Sequence, residues 1–203
     1  MRASVSNLDA FLEWRDDPDA DLPALIARLK YEGPTEPMLR GRAFAKCLQA
    51  ALEGDSETLS ADGYTFAFTG DFTIEGWARR EESREKDYGG LIVPARCDRV
   101  LGNTIVDDKT TEYFDAERYL DKYQWRYYLD MFGANRFQWL IWEVKEMKDE
   151  PQAPLLNGGV SKAFCVHKLH KLEAYRYERM EADCHALAKE FKHFAVGTLG
   201  WND

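Results

Sequence analysis

Several absences in the 203-residue sequence narrow what the protein can be. It contains no run of about 18 apolar residues, so it predicts no membrane span. The N-terminal segment MRASVSNLDAFLEW has no apolar core, which argues against a secretory signal and favours a cytoplasmic protein. Four cysteines are scattered along the chain, at Cys47, Cys97, Cys165 and Cys184. Because no two of them form a C-x-x-C pair, we expect no zinc site and no iron–sulfur cluster.

Positive charge is also scarce. Lys and Arg number 27 against 36 Asp and Glu, which gives a net charge of −9. A protein that coats nucleic acid nonspecifically would be basic. An acidic chain can still act on DNA where its positive charge is local and metal ions neutralise its carboxylates. The length and the ordinary composition, 45% hydrophobic and 31% charged, predict a single domain over 1–203 with its own core.

Hydrophobic periodicity predicts that the chain begins with helices. Apolar residues at helical spacing predict short helices around 8–12 and 22–29 and a longer helix over 37–53. Beyond them, apolar and polar residues alternate, which is typical of strands. We therefore divide the chain into a helical N-terminal part, 1–54, and a core, 62–195.

Strands and helices alternate within the core. The charged run 79–86 is typical of an exposed hairpin tip, and 146–160 of a loop. Helices are predicted over 115–132 and 180–194. The predicted strands cover residues 64–69, 72–79, 91–100, 104–109, 137–144 and 163–166. This order indicates an α/β fold with a mixed central sheet flanked by helices.

Two carboxylates and a lysine are predicted to meet where two of these strands join. Asp98 lies near the end of one strand, and Asp107 and Lys109 lie nine and eleven positions further on, in the next strand. Residues i and i+2 of a strand share a face, so Asp107 and Lys109 project together. Converging carboxylates are costly unless a divalent cation binds them, and a neighbouring lysine can orient a water or stabilise negative charge. Such a site suits phosphodiester hydrolysis.

A solvated face of a hairpin would explain the same charges without any function. Two features favour the site. The apolar pair Ile105-Val106 leads directly into the polar cluster. Gln124 and Tyr128 lie at i and i+4 of the next predicted helix, so they share a face that can reach towards the strand end.

Three short motifs in this order resemble the PD-(D/E)XK nuclease superfamily, in the branch that contains RecB-type nuclease domains and phage exonucleases. That branch has a G-x-x-D strand, a hydrophobic strand that ends in D-Y-K-T, and a helix with Q-x-x-x-Y. The corresponding segments here are RCDR at 96–99, VDDKT at 106–110 and QWRYY at 124–128. The similarity in organisation extends from about residue 4 to 195 and implies a restriction-endonuclease-like core.

The resemblance implies a metal site. Asp98 and Asp107 would be ligands of the ion, and the backbone carbonyl of Asp108 would complete the shell while its side chain points to the opposite face. The cation would be Mg²⁺ or Mn²⁺, both of which prefer oxygen ligands. One position departs from the family, whose first helix usually reads G-x-x-x-H or G-x-x-x-E. Here the segment is GRAFA at 41–45. Ala45 stands at the ligand position and has no ligand atom, so a second metal ion is in doubt.

The resemblance also implies an activity. Lys109 would be the catalytic lysine, and Gln124 and Tyr128 would position water, the lysine or the DNA backbone. The protein would be a metal-dependent exonuclease of DNA in phage-like recombination or repair, in a bacterial or phage-infected cell. A catalytically weak DNA-binding module is the alternative, favoured by Ala45, and a protein-interaction subunit is a third. The resemblance also leaves open whether the protein forms a homo-oligomer.

Other residues are weaker candidates. The main basic cluster is interleaved with glutamates, so it suits either a solvated hairpin or contacts with a DNA backbone. Trp125 is a candidate for base stacking, as is Trp77. His167 and His170, at i and i+3 after a predicted strand, suit either metal binding or simple exposure. The basic cluster comprises Arg79, Arg80, Arg84 and Lys86.

Overall fold

The computed structural model describes residues 1–31, 33–52, 58–69, 72, 80–148 and 161–201. Its strands, in chain order, are Thr58–Ala61 (β1), Tyr64–Phe68 (β2), Arg80–Asp87 (β3), Ile92–Leu101 (β4), Thr104–Thr111 (β5), Arg136–Glu146 (β6) and Lys162–Tyr175 (β7). Within the described residues they form one sheet in the spatial order β1-β2-β7-β6-β5-β4-β3. The pairs β2–β7 and β5–β6 are parallel and the others antiparallel. The predicted mixed sheet is therefore confirmed.

Helices cover both faces of this sheet, which confirms the predicted α/β class and is consistent with a restriction-endonuclease-like core. They are Val5–Asp16 (α1), Leu22–Lys30 (α2), Glu36–Leu52 (α3), Glu117–Leu120 (α4), Gln124–Phe132 (α5) and Met180–Phe194 (α6), which continues as a π-helical turn, Ala195–Leu199. Local sequence sets their ends. Ser4 Oγ accepts the Asn7 amide at the start of α1, and Gly133, with a φ of 65°, ends α5. No described helix is long and apolar enough to cross a bilayer.

Two hydrophobic clusters, one on each face of the sheet, form the core. The larger lies under α1, α2, α5 and α6 and includes Ile105 and Trp139. The smaller lies under α3 and includes Val106 and Trp142. Because side chains alternate along β5, Asp107 and Lys109 follow Ile105 to the larger cluster, whereas Asp108 follows Val106 to the smaller one.

A tight turn brings β4 and β5 side by side. Their register pairs Arg99 with Val106 and Leu101 with Thr104, which leaves Gly102 and Asn103 as the loop. Gly102 has a φ of 58°, a conformation that favours glycine. The turn predicted from the sequence is therefore confirmed, and it returns the chain from Asp98 to Asp107.

Three sequence-based boundaries are wrong. Residues 80–87 are not a hairpin tip but the edge strand β3, because charged side chains are well tolerated where a sheet edge meets solvent. The helix predicted over 115–132 is two helices, α4 and α5. The short strand predicted over 163–166 extends to Tyr175, since its second half is only partly buried and lacks strong alternation. The strand predicted over 72–79 lies outside the described residues apart from Phe72.

A buried carboxylate on α1 fixes the start of α5, the helix that carries Gln124 and Tyr128. Asp9 Oδ1 accepts the Tyr123 amide at 2.7 Å. Asp9 is only 5% exposed, and burial raises its pKa to about 6, although the Tyr123 amide and Lys122 oppose the rise. The contact therefore links the N-terminal helices to the helix beside the candidate site.

This carboxylate predicts a pH dependence of stability. A folded-state pKa above the ordinary 3.8 means that the native state binds the extra proton between pH 4 and 6, so stability falls as pH rises through that window. Asp9→Asn keeps the acceptor oxygen and removes the ionisation, so it should relieve up to about 3 kcal/mol above pH 6. Urea unfolding of both proteins from pH 4 to 8 measures the difference. A difference independent of pH would contradict this role.

Candidate active site

The candidate site is built on β5, where Asp107 and Lys109 project from the same face. Lys109 Nζ lies 2.6 Å from Asp107 Oδ2. The Asp107 side chain is only 4% exposed, whereas that of Lys109 is 36% exposed, so the lysine covers the carboxylate from the solvent side. Burial lowers the pKa of the Lys109 ammonium, but the charge of Asp107 outweighs it and raises the pKa above its ordinary value.

Asp98 reaches the same place from β4. Its Oδ2 accepts the backbone amide of Asp108 at 2.8 Å, which ties the carboxylate to β5 directly beside Asp107 and Lys109. Burial and, next, the negative charge of Asp107 raise the pKa of Asp98 to about 6. The structure thus brings together the two carboxylates and the lysine that the sequence singles out.

The carboxylate oxygens at this point fit a hard divalent cation. Asp107 Oδ2 is buried and, among the described residues, no well-aligned hydrogen bond reaches it. Burial also raises the pKa of Asp107, as expected for a carboxylate with incomplete compensation. Oxygen ligands such as these suit Mg²⁺ or Mn²⁺.

Few side chains at the candidate site could act as ligands of a metal ion. Within the described part of the chain, no three His, Cys, Asp or Glu side chains are arranged to hold a metal ion together. Asp98 and Asp107 would therefore act with the Asp108 carbonyl and with water, which agrees with the tendency of Mg²⁺ to keep several waters. Ala45 of α3 is exposed and offers no ligand atom.

The Asp108 side chain points to the opposite face of the sheet, as the alternation predicts. Its Oδ2 lies 2.5 Å from Arg99 Nη2, and its Oδ1 accepts the Trp142 indole N–H at 3.0 Å. The side chains of Arg99 and Asp108 are 7% and 9% exposed. This buried ion pair stabilises the β4–β5 hairpin from behind the candidate site.

Helix α5 places two polar side chains next to the carboxylates and the lysine. Tyr128 donates its hydroxyl to the Arg96 carbonyl at 2.9 Å, two residues before Asp98. Gln124 Nε2 lies 3.5 Å from that hydroxyl, on the same helix face. Burial and then the charge of Asp107 raise the pKa of Tyr128. The predicted Gln124–Tyr128 pair therefore does lie beside the site.

One residue near the site was missed in the sequence. Tyr119 of α4 is half-buried, packs edge-on against Trp139 at 6.3 Å, and lies near Thr111 at the end of β5. The pKa of Tyr119 is raised, mainly by burial, and the hydrogen bond with Thr111 opposes the rise. The charges of Lys109 and Asp107 act on it more weakly and in opposite directions. Its hydroxyl therefore lies within electrostatic range of the charged pair. Tyr119 belongs to none of the three motifs, so its only signal was an aromatic residue just after the strand.

Two of the proposed DNA-binding cations have structural contacts. Lys86 Nζ lies 3.0 Å from Asp130 Oδ2 and 2.6 Å from Glu181 Oε1. Arg84 donates to the Met131 carbonyl at 3.3 Å and lies over the Phe132 ring. Both side chains attach β3 to α5. These contacts weigh against the predicted DNA contacts.

The other residues that the sequence singled out are two tryptophans, two histidines and two further arginines. Trp125 is buried and donates its indole N–H to the Leu120 carbonyl, which weighs against base stacking. His170 lies within β7 and pairs with Glu143 at 2.7 Å, with His167 at 3.5 Å from the same carboxylate. Both histidines therefore belong to the strand and do not follow it. Residues outside the described side chains are Trp77, Arg79 and Arg80.

Comparisons with known proteins give distant likenesses. No protein-family profile and no curated protein matches the sequence. The protein SSO0001 shares 14% identity with a TM-score of 0.49, over 97% of this chain and 77% of that chain. A phage-related exonuclease from Haemophilus somnus 129PT shares 10% identity with a TM-score of 0.44, over 96% of this chain and 83% of that chain. Similarity this low says nothing about the chemistry of the site.

Proposed function

We propose that the protein is a divalent-metal-dependent nuclease that hydrolyses DNA phosphodiester bonds, and that it is an exonuclease of phage-like recombination or repair. The observation that carries the proposal is the buried Asp107 carboxylate, 2.6 Å from Lys109 Nζ and without a well-aligned hydrogen bond from the described residues on Oδ2. Asp98 and Asp107 are both largely buried beside the single ammonium of Lys109, so one negative charge is left over, and such a charge is costly in a folded protein. A cation ligand at this position would offset that cost.

Each residue has a defined part in this proposal. Asp98, Asp107 and the Asp108 carbonyl would hold Mg²⁺ or Mn²⁺, which when bound polarises a phosphodiester oxygen and lowers the pKa of a water. The Lys109 side chain is partly exposed, and its ammonium can donate hydrogen bonds to negative charge that develops on the phosphate. Tyr128 is anchored to the Arg96 carbonyl, so Gln124 has a fixed neighbour from which to position water or the DNA backbone.

A catalytically weak DNA-binding module is the second candidate. Two observations favour it: the exposed Ala45, and the absence of any third carboxylate or histidine in the described donor set. The Asp107–Lys109 pair weighs against it, because a binding module gains nothing from a buried carboxylate and a lysine held 2.6 Å apart.

The exonuclease assignment predicts a preference for DNA ends. With a net charge of −9, the chain should hold long duplex weakly at physiological salt. At a frayed end a strand can enter without the unstacking cost of about a few kcal/mol per step. One plasmid, closed or linearised, should therefore lose only its linear form when incubated with Mg²⁺ or Mn²⁺ at low salt. Asp107→Asn is the negative control, and equal loss of both forms would indicate an endonuclease.

A further inference from the structure

The segment that joins β5 to α4 presents an exposed aromatic ring directly beyond the candidate site. Tyr113 lies two residues after the end of β5 and four residues after Lys109. It is 77% exposed, more than any other large hydrophobic residue that the structure describes. Since both faces of an aromatic ring can bind another flat ring, Tyr113 offers a surface for a planar ligand.

The backbone that carries this ring is held in place by Thr111. The buried Thr111 hydroxyl donates to the Tyr113 carbonyl at 2.6 Å and accepts the Tyr113 amide at 3.3 Å. Both contacts connect the backbone of Tyr113 to the last residue of β5. A side chain presented from a fixed backbone loses less conformational entropy when it binds a ligand.

Two more rings of the same segment are stacked against the sheet. Phe114 stacks on His170 of β7, with centroids 4.1 Å apart and planes 16° apart. His170 is itself held by Glu143 at 2.7 Å. Tyr119 stacks on Phe114 at 6.4 Å and 24°, and its hydroxyl is within electrostatic range of Lys109. Together, Tyr113, Phe114 and Tyr119 are here called the aromatic rim.

The aromatic rim is within reach of a DNA strand bound at the candidate site. Four residues separate Lys109 from Tyr113, so their Cα atoms are at most about 14 Å apart. Stacked nucleotides of one strand follow each other at about 3.4 Å. A base within about four nucleotides of a phosphate at Lys109 can therefore contact the rim.

Charge around the rim favours contact with a base over contact with the phosphate backbone. The residues from 112 to 119 include three exposed carboxylates, Glu112, Asp115 and Glu117, and one exposed cation, Arg118. Excess negative charge repels the phosphates, which lie on the outside of a duplex. Bases are neutral, but in a duplex they are paired and covered. Only an unpaired base can present its face to these rings.

We propose that the aromatic rim stacks an unpaired nucleobase, with Tyr113 as the principal ring, so that the substrate strand is single at this point. The proposal rests on the proposed function, which places the DNA at Asp107 and Lys109. It gives the rim the stacking role that the burial of Trp125 weighs against for that residue. Stacking needs no divalent cation, so it can be measured without cleavage.

The test compares Tyr113→Ala and Tyr113→Phe with Tyr175→Ala in the full chain. Tyr175 is 59% exposed and lies where β7 pairs with the start of β6, at the opposite end of the sheet from Tyr113. A labelled single-stranded oligonucleotide is titrated at low salt in EDTA and followed by fluorescence anisotropy. Tyr113→Ala should weaken binding about fivefold or more, as removal of a base-stacking ring does. Tyr113→Phe and Tyr175→Ala should bind as the wild type does.

Two further ligands of the same length separate stacking from backbone binding. They are a blunt duplex and an abasic strand, and Tyr113→Ala should bind each of them as the wild type does. Equal affinity of Tyr113→Ala and the wild type for the single strand would overturn the proposal. It would also be overturned by an equal loss in Tyr113→Phe, or by wild-type protein that binds the abasic strand as tightly as the complete one.

Cleavage is measured separately, with Mg²⁺ and the wild type. Cleavage together with single-strand binding that does not depend on Tyr113 would leave the nuclease proposal standing and remove the stacking proposal. Binding that depends on the Tyr113 ring, without cleavage, would do the reverse.

Discussion

Replacing Lys109 by methionine should lower the rate of DNA cleavage by about 10²- to 10⁴-fold, the usual loss when a catalytic group that handles charge or protons is removed. Methionine keeps much of the aliphatic stem, so packing around the partly exposed side chain changes little. The loss should therefore appear in kcat, measured with end-labelled linear DNA and Mg²⁺ at a temperature below the unfolding midpoint of the variant, which should fall because Asp107 loses its buried counter-ion.

Lys162→Met is the matched control. Lys162 is also 36% exposed and also pairs with a carboxylate, Glu36 at 3.2 Å, but it lies at the β2–β7 side of the sheet. Its replacement removes the same charge away from the site, together with an ion pair whose carboxylate is 44% exposed, whereas that of Asp107 is 4% exposed. Cleavage by Lys162→Met should match the wild type. Equal activity of Lys109→Met and Lys162→Met would contradict a catalytic role for Lys109.

Replacing Asp108 by alanine should destabilise the protein by about 3–5 kcal/mol. The change leaves Arg99 buried without its carboxylate and removes the acceptor of the Trp142 indole, and loss of one partner of a buried pair has this magnitude. For a chain of this length, that corresponds to a fall of roughly 10 °C in the unfolding midpoint. Urea unfolding monitored by tryptophan fluorescence measures it.

The double variant Arg99→Met, Asp108→Leu provides the control. Because it removes both charges, it should recover most of the lost stability. A single variant as stable as the wild type would mean that the ion pair behind the β4–β5 hairpin has no structural role. The same outcome would leave the proposed ligand role of the Asp108 carbonyl untouched, since that role uses the backbone.

The arrangement of the candidate site could be predicted because local rules determine it. Strand alternation places Asp107 with Lys109, the turn at Gly102 returns β4 to β5, and helical spacing aligns Gln124 with Tyr128. Each of these inferences needs only neighbouring residues. The chemical roles assigned to these residues stay predictions.

Features that depend on distant contacts could not be predicted. The charged run 80–87 has no apolar alternation, and it forms a strand because β4 offers a free edge. Lys86 is a structural cation only because Asp130 and Glu181 meet it from two helices. Tyr119 lies near the site on α4, a separate short helix where the sequence predicts one long helix. A single sequence contains no local signal for any of these contacts.

Binding of Mn²⁺ is the most direct test of the account, whose central claim is that Asp98 and Asp107 together hold a divalent cation. The measurement is a titration of the full chain, followed by the electron paramagnetic resonance of free Mn²⁺, with the wild type, Asp98→Asn and Asp107→Asn. Asp62→Asn, which removes an exposed carboxylate in the β1–β2 turn, at least three strands away from β5 in the sheet, is the control. The account predicts stoichiometric binding by the wild type and the control, and at least tenfold weaker binding by the other two. Equal affinity in all four proteins would contradict it.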